Sequence, residues 1–157
     1  MTTNTNPNTK TTTTTTATGS GFSEDELAAM KQRAAELRAE KKGGAKKADE
    51  AEACVAAITA LPQPDRGLAE AIHRIVLDVA PQLDPKTWYG FPSYARDGKV
   101  VVFFKPASKF KSRYATLGFE EAARLDQGTM WVTSYALLEI GRAEEKLIRE
   151  LVEKAAG

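Results

Sequence analysis

The chain has 157 residues, 42% of them hydrophobic and 27% charged, with a formal net charge of +1: material for one domain with room for a tail. That balance argues neither for nor against a polyanionic partner, and no apolar run approaches the ~20 residues of a membrane span. Cys54 is the only cysteine, which excludes an intrachain disulfide, and the N-terminus lacks the apolar core of a secretory signal, so a cytoplasmic setting is expected.

Residues 1–21 contain eleven Thr and three Asn and almost nothing apolar. Such a segment cannot offset its ordering entropy by burial, so a disordered tail is expected. Ser23 and Glu26 then stand at the spacing of a capping box, and Leu27, Met30, Ala34 and Leu37 recur at helical intervals until Gly43 and Gly44. The stripe is thin, which predicts a long, mostly exposed helix and a basic linker over residues 22–48.

Residues 49–157 form the predicted domain. Val55, Ile58 and Leu61, with Cys54 beside them, mark a short amphipathic helix ended by Pro62 and Pro64. Leu68, Ile72, Ile75, Val76 and Val79 mark a second, closed by Pro81 and Pro85. Around Asp97-Gly98 the segment SYARDGKVVVFF reads as a β-hairpin, because both turn residues tolerate positive φ. Pro92 predicts an edge position or an irregular start for its first strand. A strand is expected at 113–117, a short helix at 119–125, a strand within 130–140, and a last helix from near Gly141 with Leu147, Ile148, Leu151 and Val152 inward. The fold class is α+β: a small antiparallel sheet, a meander of about four strands, with helices packed on one face.

Eleven of the twelve aromatics lie between Trp88 and Tyr135. Simple alternation sends Val100, Val102 and Phe104 to one face of the sheet and Val101 and Phe103 to the other. Both faces are apolar, so the second needs a cover: a loop, the N-terminal helix, another subunit or a ligand.

Chemistry-bearing residues are sparse. His73 and Cys54 are single copies, so a Cys/His metal site is excluded, and a Cys-His pair remains only if those two meet. His73 reads as a surface histidine and Cys54 as a small buried hydrophobe. No phosphate loop, nucleophile elbow or dinucleotide fingerprint is present, and no enzymatic activity is expected. Charge is uneven: residues 49–85 carry −5, residues 86–113 carry +6 and residues 114–157 carry −3. Basic groups interleaved with aromatics suit an anion or single-stranded nucleic acid, and equally suit guarding strand edges. On this basis Trp88, Tyr89, Gly90, Pro92, Tyr94, Lys109, Lys111 and Arg113 are the candidate ligand site, with Trp88 and Tyr94 bordering a partly open surface. Most helix acids have a basic neighbour at i,i+4; Asp49, Glu50 and Glu52 do not, and are the candidate metal ligands.

The run WYGFPSYARDGKVVVFFKPASKFKSRYATLGF, continued by MWVTSYALLEI and AEEKLIRELVEKA, resembles the YdhG-like family of domains of unknown function. The front pieces FSEDELAAMKQRAAEL and VAAITALPQPDRGLAEAIHRIV also resemble actinobacterial members, so the likeness covers roughly residues 22–156. Some members of that family are described as frataxin-like intracellular iron chaperones. The resemblance therefore implies a compact frataxin-like fold and a non-enzymatic protein that holds iron on acidic surface residues and delivers it to a cluster- or haem-assembly partner. The alternative is a binding module using the aromatic-basic sheet surface for a small anionic ligand, a protein or, less favoured, single-stranded nucleic acid. A monomer and a homodimer both fit.

Overall fold

In the computed structural model, residues 21–41 and 47–157 are described; the Thr-rich tail up to residue 20 and linker residues 42–46 lie outside them. Helix α1 spans Glu24–Lys41. At its start the Ser23 hydroxyl accepts from the Glu26 N–H (3.2 Å), and Ser23 N–H donates to the Glu26 carboxylate (3.4 Å). Helices α2 (Lys47–Thr59) and α3 (Asp65–Val79) follow, separated by Pro62 and Pro64. In α2 it is Cys54 and Ile58 that turn inward, while Val55 stays exposed. Helix α3 buries Leu68, Ile72, Ile75 and Val76 at the spacing that predicted it.

Five antiparallel strands follow, not four: β1 (Asp84–Trp88), β2 (Phe91–Arg96), β3 (Lys99–Lys105), β4 (Ala115–Phe119) and β5 (Ser134–Leu137), in the order β1-β2-β3-β4-β5. The unforeseen one is β1, whose DPKTW carries Pro85 and no apolar alternation; tertiary pairing with β2 makes it a strand. Consequently β2 is an inner strand, and Pro92 is not at an edge. Its register partner in β1 is Thr87, and the β2–β3 ladder begins only at Ser93, so the missing N–H interrupts no pairing with β3. Asp97 (φ 51°) and Gly98 (φ 79°) form the expected turn between β2 and β3.

The register shifts between Tyr94 and Ala95, which pair with Val102 and Val100, leaving Val101 as the extra residue of a bulge. The bulge breaks the simple alternation: Val101, Val102 and Phe104 all enter the helix-side core with Tyr94. Phe103 falls on the opposite face, opposite Ser93 and Gly118.

The 119–125 segment is a turn rather than a helix, because Phe119 closes β4 and Ala123 N–H bonds back to the Glu120 carbonyl. The short helix α4 (Ala107–Phe110) lies instead between β3 and β4, held by buried Asp65, whose carboxylate accepts from the N–H (2.8 Å) and the hydroxyl of Ser108. Helix α5 (Arg142–Ala156) starts at Gly141, whose N–H donates to Glu144 (3.0 Å). It buries Ile148, Val152, Ala155 and Ala156, whereas Leu147 is exposed and Leu151 only half-buried. Arg96 donates to the Ala122 (2.7 Å) and Ala156 carbonyls, fixing the C-terminal end of α5 beside the β2–β3 hairpin.

The core joins α2, α3 and α5 to one sheet face. The helices do not all take that face. Gln32, Arg33 and Glu36 of α1 lie beside Gly90 and Trp88, on the face that carries Phe91 and Phe103. The cover of the second face, at its β1 end, is thus α1.

Candidate functional site

Tyr89 (φ 52°) and Gly90 (φ 78°) form a second tight turn, joining β1 to β2. A two-residue hairpin turn leaves the N–H groups of its central residues outside the ladder. Here both meet the Glu36 carboxylate of α1: Tyr89 N–H donates to Oε2 at 3.2 Å and Gly90 N–H to Oε1 at 3.0 Å. The Glu36 side chain retains only 10% of its exposure. Gly90 is required by more than its φ, since a Cβ there would stand 2.2 Å from Lys109 Nζ and 2.9 Å from Gln32 Cγ.

Lys109 arrives on α4. Burial pushes its ammonium below the ordinary lysine range, and the charge of Glu36 pulls the other way. Aromatic rings wall the place. Trp88 packs edge-on to Tyr89 (5.0 Å), Phe91 (5.9 Å) and Phe103 (5.4 Å), and Phe91 meets Phe110 at 6.1 Å. Beside them opens a groove of about 570 Å³, lined by Arg33, Trp88, the Arg96–Val100 hairpin end and Glu120 to Ala122. Two backbone donors, a half-buried ammonium and aromatic walls make a seat for a carboxylate.

Of the predicted ligand-site residues, Trp88, Tyr89, Gly90 and Lys109 come together at this seat. The rest do not. Pro92 and Tyr94 are fully buried because β2 alternation turns them to the helix-side face. Lys111 is exposed and pairs with Asp25 of α1 (3.7 Å), and Arg113 lies over the Tyr114 ring (5.3 Å). The residue that sequence reasoning missed is Glu36. Its only signal was charge: an acid on a thin-striped helix, in a chain whose 86–113 segment is strongly basic.

Asp49 and Glu52 are exposed on α2, while half-buried Glu50 turns to Lys86 (3.7 Å). Lys86 is buried and also pairs with Glu40 of α1 at 2.9 Å. That hydrogen bond holds the Glu40 carboxyl below its ordinary range. Among the described residues no group of three or more His, Cys, Asp or Glu side chains is gathered to hold a metal ion.

On the helix-side face the partner of His73 is Tyr94, not Cys54. His73 Nδ1 is 3.0 Å from the Tyr94 hydroxyl, and Cys54 is buried in the same core cluster as Tyr94. His73 is therefore half-buried and partnered, not a free surface histidine, and burial lowers its pKa. Burial pushes the Cys54 thiol up to about 11, the opposite of what a nucleophile needs.

No family model matches the chain, and no curated protein or solved structure matches it either. Among the described residues no helix is long and apolar enough to cross a membrane.

Proposed function

We propose that this protein is a non-enzymatic binding module whose ligand presents a carboxylate to the β1–β2 turn. The observation that carries the reading is the paired donation of Tyr89 and Gly90 N–H to the two oxygens of one carboxylate. Charge-assisted hydrogen bonds of this kind contribute about 1.5–3 kcal/mol each. Lys109 adds positive charge, and a groove of small-ligand volume that runs to the β2–β3 turn meets the seat at Trp88. Single-stranded nucleic acid fits less well, since Lys86 and Lys111 are already paired to acids of α1.

Iron delivery, with an iron-accepting assembly protein as partner, is the competing proposal from the family resemblance. Its natural place is the small cavity lined by Glu36, Glu40, Asp49 and Glu50. The Lys86 ammonium already stands among these carboxylates, so an added cation has to displace it or share them. One titration series separates the readings. In full-length Glu36→Ala, which empties the seat, millimolar benzoate is expected to shift the Tyr89 and Gly90 amide resonances, and Lys109→Met in that background to weaken the response several-fold. Amides that stay still under benzoate, combined with stoichiometric anaerobic Fe(II) binding that Mg²⁺ does not imitate, would replace the carboxylate reading with iron.

A further inference from the structure

The charge pattern of α1 complements the surface it covers. Its Asp25, Glu36 and Glu40 meet Lys111, the Tyr89–Gly90 turn and Lys86. Its apolar hold is slight: Ala29 is its one buried residue, and Leu27, Met30 and Leu37 are 38–42% exposed. Most of the fixation of α1 is therefore polar. The Asp25–Lys111 pair is exposed and contributes little, so that apart from the Glu40–Lys86 and Glu36 contacts α1 is weakly held, as elements at the low-stability end of a fold are. Burial within α1 is concentrated at two side chains, Ala29 and the Glu36 carboxylate.

A helix docked through the Glu36 carboxylate, with Glu40 on Lys86 and Asp25 on Lys111 beside it, on a surface with a groove at Trp88, has the form of a bound ligand. We infer that α1 is a displaceable intramolecular ligand, and that the Glu36 side chain occupies the seat of a glutamate from an acidic peptide segment of a partner protein. This rests on the carboxylate reading above and adds its regulation and its ligand class. A peptide is favoured over a free small acid because the occupant in place is a peptide-borne glutamate flanked by further acid–base pairs along the same helix. A tethered segment competes at an effective concentration in the millimolar range, so an outside peptide binds the native chain only weakly until α1 is released.

The test uses the full chain and a labelled peptide of residues 22–41 as probe. Fluorescence anisotropy is expected to give at least tenfold tighter binding to the Glu36→Ala chain than to the native chain. The same peptide carrying Glu36→Gln is expected to bind neither, and the thermal midpoint of the Glu36→Ala chain should show the core intact. Equal affinity for the native and Glu36→Ala chains overturns displacement and leaves the carboxylate seat standing. Benzoate binding to Glu36→Ala without peptide binding overturns the peptide and leaves a small-acid site. If benzoate also fails to bind, the seat itself falls, and this inference with it.

Discussion

Tyr94 illustrates how one side chain is assigned by its neighbours. Its ring is fully buried, and its hydroxyl reaches His73 on α3. With the imidazole proton on Nε2, Nδ1 accepts the hydroxyl proton. Tyr94→Phe keeps the ring and removes that link, for an expected loss of about 1–2 kcal/mol. Tyr94→Ala empties a core position and is expected to cost about 3–5 kcal/mol. Urea titration checks both, and neither substitution acts directly at the Tyr89–Gly90 seat, which lies on the other face. A Tyr94→Ala chain as stable as the native one would remove Tyr94 from the core.

At the scale of an element, β4 is shaped by what crosses it. The Phe103 ring of β3 lies over Gly118, so a Cβ there would fall 2.0 Å from the ring. This close approach, not turn geometry, is why glycine stands inside a strand. It also lets Phe103 lean toward Trp88 and Phe91 and complete the aromatic wall. Gly118→Ala has to push the ring aside, with an expected loss of about 1–3 kcal/mol. Adding Phe103→Leu should recover part of it. Thermal unfolding of the single and double variants measures the effect, and an unchanged single variant would mean the ring does not rest on β4.

At the scale of the whole molecule, the half-buried His73 couples folding to pH. The folded chain holds the His73 pKa below the ordinary 6.5, so the unfolded chain takes up that proton first as the pH falls. The associated stability is full above pH 6.5 and is lost as the pH drops through the folded value. Thermal midpoints are therefore expected to decline as the pH falls below about 6.5, in the range where histidine alone among unperturbed side chains titrates. His73→Gln, whose amide oxygen can still accept from Tyr94, should flatten that decline. Glu40, held below 4.5 by Lys86, adds its own loss only at more acid pH. A decline that persists in His73→Gln would assign it to other groups.

Much of the fold was legible because local physics agrees with it. The periodic stripe of α3, the Ser23–Glu26 capping box, the Asp97-Gly98 turn and the Glu144 start of α5 are short-range signals, and each lies in the structure where the sequence put it. The misplacements arose where contacts distant in sequence override local pattern. A strand without alternation, β1, is made by its pairing; the bulge sends Val101 to the helix-side core while Val102, Phe103 and Phe104 keep their expected faces; and Tyr94 goes to the core because it pairs with Val102. The candidate site depended on tertiary structure still more. The sequence marked Trp88, Tyr89, Gly90 and Lys109 by composition alone. Their seat needs a carboxylate from Glu36, 53 and 54 residues away from the two amides it joins, and no spacing rule reaches across that distance.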